Sequence, residues 1–340
     1  MFDLVEALGR LGIPTRDLHE LPSSSLRFPD GAHYRIEIAG VEGVPALQAL
    51  IDESGKRGTA VHRVIATVGG ATLLTLSELK DFAALAGEAK LQVVMTPGSV
   101  RGWDTGRQLV TSEGLVSGYR LRGADGLATW FRDVERCLEA GIRGFLVVDE
   151  GVLWALGEMK KAGALPLDVV LKCSVFAGHG NPAGAKVIES LGASSFNPLA
   201  DLSLAMLASI RKVLTIPMDV YVYLVDAMGG FNRFWEAAEI ARVSAPVYLK
   251  IEPGPSEAAL YKPWVTPEFQ SFWVREKVKH AAIVNELVQR QSPRITVSGR
   301  GPADLTLPQP GAGVGERAAG RGTLGSASRE AATGRETTGA

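Results

Sequence analysis

Residues 168–224, DVVLKCSVFAGHGNPAGAKVIESLGASSFNPLADLSLAMLASIRKVLTIPMDVYVYL, decide the fold. They read as strand, helix, strand, helix, strand. DVVLKCSVF (168–176), SSFNPLA (194–200) and MDVYVYL (218–224) are short apolar or alternating runs. The segment between the first two, NPAGAKVIESLGA, carries helix punctuation: Asn181 can cap, Pro182 suits the first helical position and Gly192 can end the helix. In DLSLAMLASIRKVL, Asp201 can cap, and Leu204, Leu207, Ala208 and Ile210 make one apolar stripe.

Working outward, the same alternation continues both ways. Five further strands are expected: YRIEIAG (34–40), AVHRVIATV (60–68), LQVVMTPG (91–98), GFLVVDEG (144–151) and APVYLKIE (245–252). Eight strand–helix units predict a closed (β/α)8 TIM barrel of the α/β class over residues 32–291, with an open doubly wound sheet as the runner-up. Residues 1–31 read as an N-terminal extension ending in the linker LPSSSLRFPDG. Residues 292–340 are rich in Gly, Ala, Arg, Ser and Thr, and too poor in large apolar residues to offset their ordering entropy, so a disordered tail is expected there. RGWDTGRQLVTSEG, in the long gap between Gly98 and Tyr119, is expected to cover the barrel mouth or to form a small hairpin there.

Strand parity separates two faces, and one of them is unusually polar. Val247, Leu249 and Ile251 alternate with Tyr248, Lys250 and Glu252. By the same reasoning Arg35, Glu37, Gln92, Thr96, Lys172, Ser174, Ser195, Asn197, Tyr221 and Tyr223 point inward, and Arg63 shares a face with Thr67. Barrel interiors are usually filled by branched aliphatics, and buried charge is costly even when paired. Such charge either forms a network that fixes the barrel or lines a working pocket, which in this fold lies at the carboxyl end of the strands. The expected catalytic set is Lys172, Lys250, Glu252 and Glu37. The expected substrate-binding set is Arg35, Arg63, Asn197, Tyr221, Tyr223, Gly229 and Gly230.

Each role has a bland alternative. Lys172, shielded from water, can act as base or Schiff-base amine, or hold a ligand's charge, or only pair with Glu37 or Glu252. Lys250 and Glu252 can neutralise each other, or Glu252 can move a proton. Asn197 can bind substrate or cap a loop. Gly229 and Gly230, in DAMGGFNR, can admit an anion with help from Arg233, or simply turn the chain. Asp149 with Glu37 or Glu252 can hold a divalent metal, but no close ligand set favours one, so no metal residues are assigned. His179 can be a general acid or a surface residue, and Arg120 and Arg122 can meet a carboxylate or water.

A formal net charge of −1 gives no field for nucleic acid or a membrane surface. No apolar run reaches the roughly 18 residues a membrane helix requires, and MFDLVEALGR lacks the features of a secretory signal. Two cysteines, Cys137 and Cys173, fit a reducing compartment, so a cytoplasmic protein is expected. Oligomeric state is not readable.

The run LKCS…NPAGAKVIESLGASSFNPLADLSLAMLASIRKVLTIPMDVYVY, followed by APVYLKIEP, resembles the collagenase-like (U32) peptidase family across roughly residues 32–290. The resemblance implies a barrel with Lys250, Ile251 and Glu252 in the family's late K-I-E position. Pro253-Gly254 stands where the family continues with Gly-Arg. The four-cysteine iron–sulfur cluster of one branch cannot be built from Cys137 and Cys173, so no such cofactor is expected. Three functions follow. The first is a hydrolase acting on a peptide or small anionic substrate, with Glu37 or Glu252 activating water and Lys172 or Lys250 stabilising the oxyanion. The others are a lyase or aldolase using Lys172 as Schiff base, and a non-catalytic anion-binding barrel.

Overall fold

A computed structural model of the chain describes residues 3–98 and 120–310. Eight parallel strands close into a barrel in sequence order. They are β1 (Tyr34–Val41), β2 (Arg63–Ala66), β3 (Gln92–Met95), β4 (Gly144–Val147), β5 (Val170–Cys173), β6 (Ser195–Phe196), β7 (Met218–Tyr223) and β8 (Val247–Ile251). The outer ring is α2 (Val44–Arg57), α3 (Leu76–Glu88), α4 (Gly123–Glu139), α5 (Glu150–Lys161), α6 (Pro182–Ser190), α7 (Leu204–Arg211), α8 (Ala237–Ser244) and α10 (Pro267–Gln291). A short α1 (Leu4–Arg10) precedes the barrel, and a single-turn α9 (Glu257–Leu260) follows β8. The protein is therefore a (β/α)8 barrel. Among the described residues no helix is long and apolar enough to cross a membrane.

The helix signals act as read for α6, where Asn181 accepts the Gly184 N–H and Gly192 follows with φ of 100°. For α7 the cap is Ser203, two residues beyond Asp201: its hydroxyl accepts the Met206 N–H. The outward-facing Ile36, Ile38, Leu171, Val220, Val222 and Leu249 join the main core between sheet and helices. Burying these side chains supplies the principal driving force for closing the ring.

The terminal segments are part of the closed structure. Residues 13–31 run beside α7 and α8, where Leu18 N–H meets Ser209 Oγ at 2.9 Å and Arg242 donates to Leu21 O at 2.7 Å. Phe28 is buried. The disorder expected from residue 292 onward is corrected as far as 310. Tyr34 bridges to Val297, Arg35 grips both Asp304 carboxylate oxygens at 2.8 and 2.6 Å, and Gln309 N–H bonds Gly141 O at 2.8 Å. Backbone bonds and one bidentate ion pair hold this stretch, with little need for apolar bulk. The remainder of the expected tail, 311–340, and the expected mouth cover between Gly98 and Tyr119 lie outside the described residues.

Candidate functional site

Register brings the inward side chains together. Glu37 pairs with Arg63 on β2 and with Lys250 on β8, Lys172 with Ser195 on β6, and Tyr221 with Lys250. Ala39, Ile65, Val94 and Leu146 fill the interior on the β1–β4 side. The charged groups occupy the rest, as two separate clusters.

The deeper cluster is a quartet of Glu37, Arg63, Lys172 and Asp219, each no more than 1% exposed. Arg63 donates to Glu37 and to Asp219, and its third nitrogen meets Ser195 Oγ at 3.1 Å. Lys172 Nζ donates to Asp219 and lies 3.2 Å from Glu37 Oε1. That second contact is an ion pair without hydrogen-bond geometry, which leaves Glu37 Oε1 with no formal donor. Ser195 adds a bond to Asp219 at 2.7 Å. Two cations face two anions, so the quartet is neutral. Burial pushes Lys172 down to about 8 against the opposing pull of Asp219 and Glu37. Burial also works to raise Asp219, but Arg63 and Lys172 together hold it below the usual carboxylate range.

The second cluster sits nearer the carboxyl ends of β7 and β8. Lys250 Nζ donates to the Tyr221 hydroxyl, and Tyr221 Oη donates to Glu252 Oε2 at 2.8 Å. Tyr261 donates to Glu252 Oε1 at 3.0 Å. Asn197 Oδ1 lies 3.4 Å from Lys250 Nζ, while the nearest Glu252 oxygen is 3.7 Å away. Lys277, reaching in from α10, bonds Ala39 O at 2.7 Å and approaches Tyr261 Oη at 3.3 Å. Burial lowers Lys277 to about 8 and raises Glu42 to about 7. Burial, then the Glu252 charge, push both Tyr221 and Tyr261 well up, so both stay phenolic donors. Gly40, with φ of 72°, makes room here: a Cβ on it would come within 2.2 Å of the Tyr261 ring.

Lys172, Lys250, Glu37 and Glu252 thus all lie inside one closed ring, as strand parity predicts, but Lys172 joins Glu37 in one cluster and Lys250 joins Glu252 in the other. Several other expectations need correction. Tyr223 does not face inward. The β7 register shifts between Tyr221 and Tyr223, and the Tyr223 ring packs edge-on against Phe234 and His280 in the outer layer. One extra residue in a strand reverses the parity that follows. Gly229 and Gly230 donate their N–H groups to Asp226 O and Val225 O, so the turn consumes the donors an anion would need. Asn197 is present, but its amide hydrogens go to Pro198 O and Asp219 O, leaving its oxygen for Lys250. Arg35 lies at the amino-terminal end, bound to Asp304. Asp149 caps α5, and Glu150 binds His179 at 2.7 Å and Arg120 at 2.9 Å. Among the described residues no group of three or more His, Cys, Asp or Glu side chains could hold a metal.

The expected open pocket at the carboxyl end is also revised. Val175, Leu224, Val225, Leu260 and Tyr261 pack together over Tyr221, and Lys250 and Glu252 are 4% and 2% exposed beneath them. A cavity of about 340 Å³ lies at the opposite end, lined by residues that begin the strands, such as Val170, Pro217 and Pro246.

Asp219, Tyr261, Lys277 and Glu42 were absent from the expected site. Asp219 was within reach, since it shares parity with Tyr221 in MDVYVYL. The other three arrive from a loop and a distant helix and leave no periodic trace.

No family model and no curated protein matches the chain. Solved structures do. The YdjI aldolase from Escherichia coli K12 is 14% identical with a TM-score of 0.44, covering 77% of this chain and 93% of that one. A 2,3-dimethylmalate lyase of the PEP mutase/isocitrate lyase superfamily is 15% identical with a TM-score of 0.40, covering 83% and 99%. The U32 peptidase Mk0906 is 16% identical with a TM-score of 0.38, covering 59% and 73%. Likeness at this level spans aldolase, lyase and peptidase alike and does not single out the collagenase-like family.

Proposed function

We propose that the protein is a barrel enzyme acting on a small anionic carbonyl compound, a lyase of aldolase type in which Lys250 is the Schiff-base amine. One observation carries this reading: the chain of donors from Lys250 Nζ through Tyr221 Oη to Glu252 Oε2. A Schiff base needs a neutral amine. Along this relay the Lys250 ammonium passes a proton to the Tyr221 oxygen as Tyr221 passes its own to Glu252. The freed amine adds to the carbonyl carbon, and the imine forms with loss of one water. On return, Glu252 gives the proton back.

Charge supports an anionic substrate. Lys250 and Lys277 face Glu252, with Glu42 only partly ionised near neutral pH because burial raises it to about 7. Substrate reaches Lys250 by displacing residues 257–262. Within it Tyr261 Oη donates to Glu252 Oε1 at 3.0 Å and accepts from Lys277 Nζ at 3.3 Å, and just before it the Gly254 and Pro253 carbonyls accept from Asp226 N–H at 2.7 Å and Trp273 Nε1 at 3.0 Å, so entry breaks the two Tyr261 bonds.

Lys172 suits the amine role less well, since its ammonium already faces two carboxylates and is fully buried. Peptide hydrolysis needs a carboxylate free to activate water. Glu37 is held by Arg63 and Lys172, and Glu252 already accepts from two phenols.

The test is borohydride reduction in the presence of pyruvate and larger 2-keto acids, read by peptide mass mapping. The expected adduct is on Lys250, is absent from Lys250→Met, and forms at least about tenfold more slowly in Tyr221→Phe, where the relay is cut. No adduct with any keto acid, or an adduct on Lys172, overturns the reading.

A further inference from the structure

We propose that the cavity at the amino-terminal end of the barrel is a binding site for a small monocarboxylate with a flat apolar body and a hydrogen-bonding group at its far end. It is separate from the Lys250 site, and its test stands apart from that reading.

The cavity is too large to be a packing fault. At about 340 Å³, and open to solvent on one side, it falls among small-molecule pockets. Its walls are built. Arg63 sits over the Tyr248 ring with its guanidinium carbon 3.5 Å from the centroid, and Arg35 sits over Phe28 at 4.0 Å. Phe28 meets Tyr248 edge to face at 5.3 Å. These four side chains brace one another, and every guanidinium nitrogen of Arg63 is already bonded to Glu37, Asp219 or Ser195. Such a wall is fixed before any ligand arrives.

Two groups on the cavity have polar capacity left over. Gln92, the first residue of β3, is 5% exposed and lines the cavity; its backbone N–H bonds His62 O at 3.0 Å, but its side-chain amide makes no hydrogen bond to the described residues. Facing the cavity, this amide is free to bond a ligand's hydroxyl or carbonyl. Arg27 lines the cavity and donates to Ser24 O and Leu26 O but has no carboxylate partner among the described residues. Its neighbour Arg35 is by contrast neutralised by Asp304 at 2.6 Å, with Asp30 at 3.8 Å. One unpaired guanidinium at an exposed position calls for a single negative charge. One unpaired amide on a buried strand calls for a neutral polar group at the other end. Between them the aromatic rings and three prolines, Pro29, Pro217 and Pro246, offer flat apolar walls. The closing pieces come from both ends of the chain, Arg27–Pro29 and Asp304–Thr306, so entry does not require the barrel itself to open.

The probe is 4-hydroxybenzoate, followed by calorimetric titration and by the rise in Tm it causes. Saturable binding is expected. Its affinity is expected to fall about tenfold or more in Arg27→Gln and in Gln92→Leu, the loss of one hydrogen bond to a charged or buried group. Phenol, lacking the carboxylate, should bind as weakly as the probe does to Arg27→Gln. Arg27 is exposed and Gln92→Leu keeps the side chain's bulk, so the unliganded variants should melt close to the parent protein. Lys250→Met should bind the probe unchanged. The proposal is overturned by absence of saturable binding at millimolar probe, or by binding that survives both substitutions. Binding lost in Lys250→Met but retained in the other two places the ligand at the carboxyl end and equally overturns it.

Discussion

Acidification should unlock the clasp between the barrel and its C-terminal segment at one histidine. His62, fully buried just before β2, accepts the Ile36 N–H at Nδ1 over 3.0 Å. Its Nε2 faces Ser298 O at 3.0 Å and Gly299 O at 3.1 Å. Nδ1 must therefore be unprotonated and Nε2 must carry the hydrogen, so the folded protein holds the neutral ring. Burial is the main cause of a pKa lowered to about 4; the Ser298 and Gly299 carbonyls and Asp30 pull it up, and Arg35 pushes it down. As pH falls, the unfolded chain takes this proton first, near 6.5. The stabilising contribution is therefore complete above 6.5 and is lost progressively between 6.5 and about 4. A lowering of that size is worth about 3 kcal/mol, a large fraction of a typical total of about 5–15 kcal/mol. Carboxylates titrate in the same window, so the measurement must be a difference. Urea unfolding of the parent and of His62→Gln should be compared above pH 6.5 and near pH 4. The parent is expected to lose about 3 kcal/mol more than the variant across that interval. Equal losses in the two proteins would refute the reasoning.

Two substitutions test the interior. Asp219→Asn leaves Arg63 and Lys172 facing Glu37 alone. It should cost about 3–5 kcal/mol in chemical denaturation, with most of that recovered in Asp219→Asn/Lys172→Met; a cost below about 1 kcal/mol would sink the quartet account. Gly40→Ala combines a left-handed φ of 72° with a Cβ only 2.2 Å from the Tyr261 ring. It should lower stability by more than about 1 kcal/mol and move Tyr261 off Glu252, and a neutral effect on thermal melting would contradict the close approach.

Most of the barrel was legible because its determinants are local. The eight strands announce themselves through alternation and through the caps between them, and parity alone placed Glu37, Arg63, Lys172, Lys250 and Glu252 in the interior. Parity failed at Tyr223, where a register shift inside β7 reversed the face, and a bulge has no signature in a run of alternating Val and Tyr. The segment from 292 to 310 is ordered despite its low apolar content. Its order comes from Arg35–Asp304, from the carbonyls that meet His62 and from one strand-like bridge to Tyr34. The expected pocket at the carboxyl end is covered by described residues for a related reason. The carboxyl-end loops bring Val175, Leu224, Val225 and Leu260 inward, whereas the amino-terminal end is closed by segments far away in sequence.

Buried charge in a barrel is by itself an ambiguous sign, and the two lysines differ in the partners their geometry gives them. Lys172 and Lys250 both sit on inward faces, and both would be candidates for an activated amine by residue type alone. Around Lys172 the protein supplies two carboxylates, so removing its proton would leave Asp219 and Glu37 opposed by Arg63 alone in a fully buried place. Asp219 and Glu37 oppose losing that proton while burial and Arg63 favour it, and the ammonium ties β5 to β1 and β7 through those two carboxylates. Around Lys250 the direct hydrogen-bond partners are neutral oxygens, and the carboxylate stands one hydroxyl away. A proton leaving Lys250 has a path to Glu252, and its departure neutralises that carboxylate instead of stranding it. In the proposed reaction the amine is the one whose ammonium can be discharged without leaving unbalanced charge, which is why that proposal assigns it to Lys250 on β8 and not to Lys172.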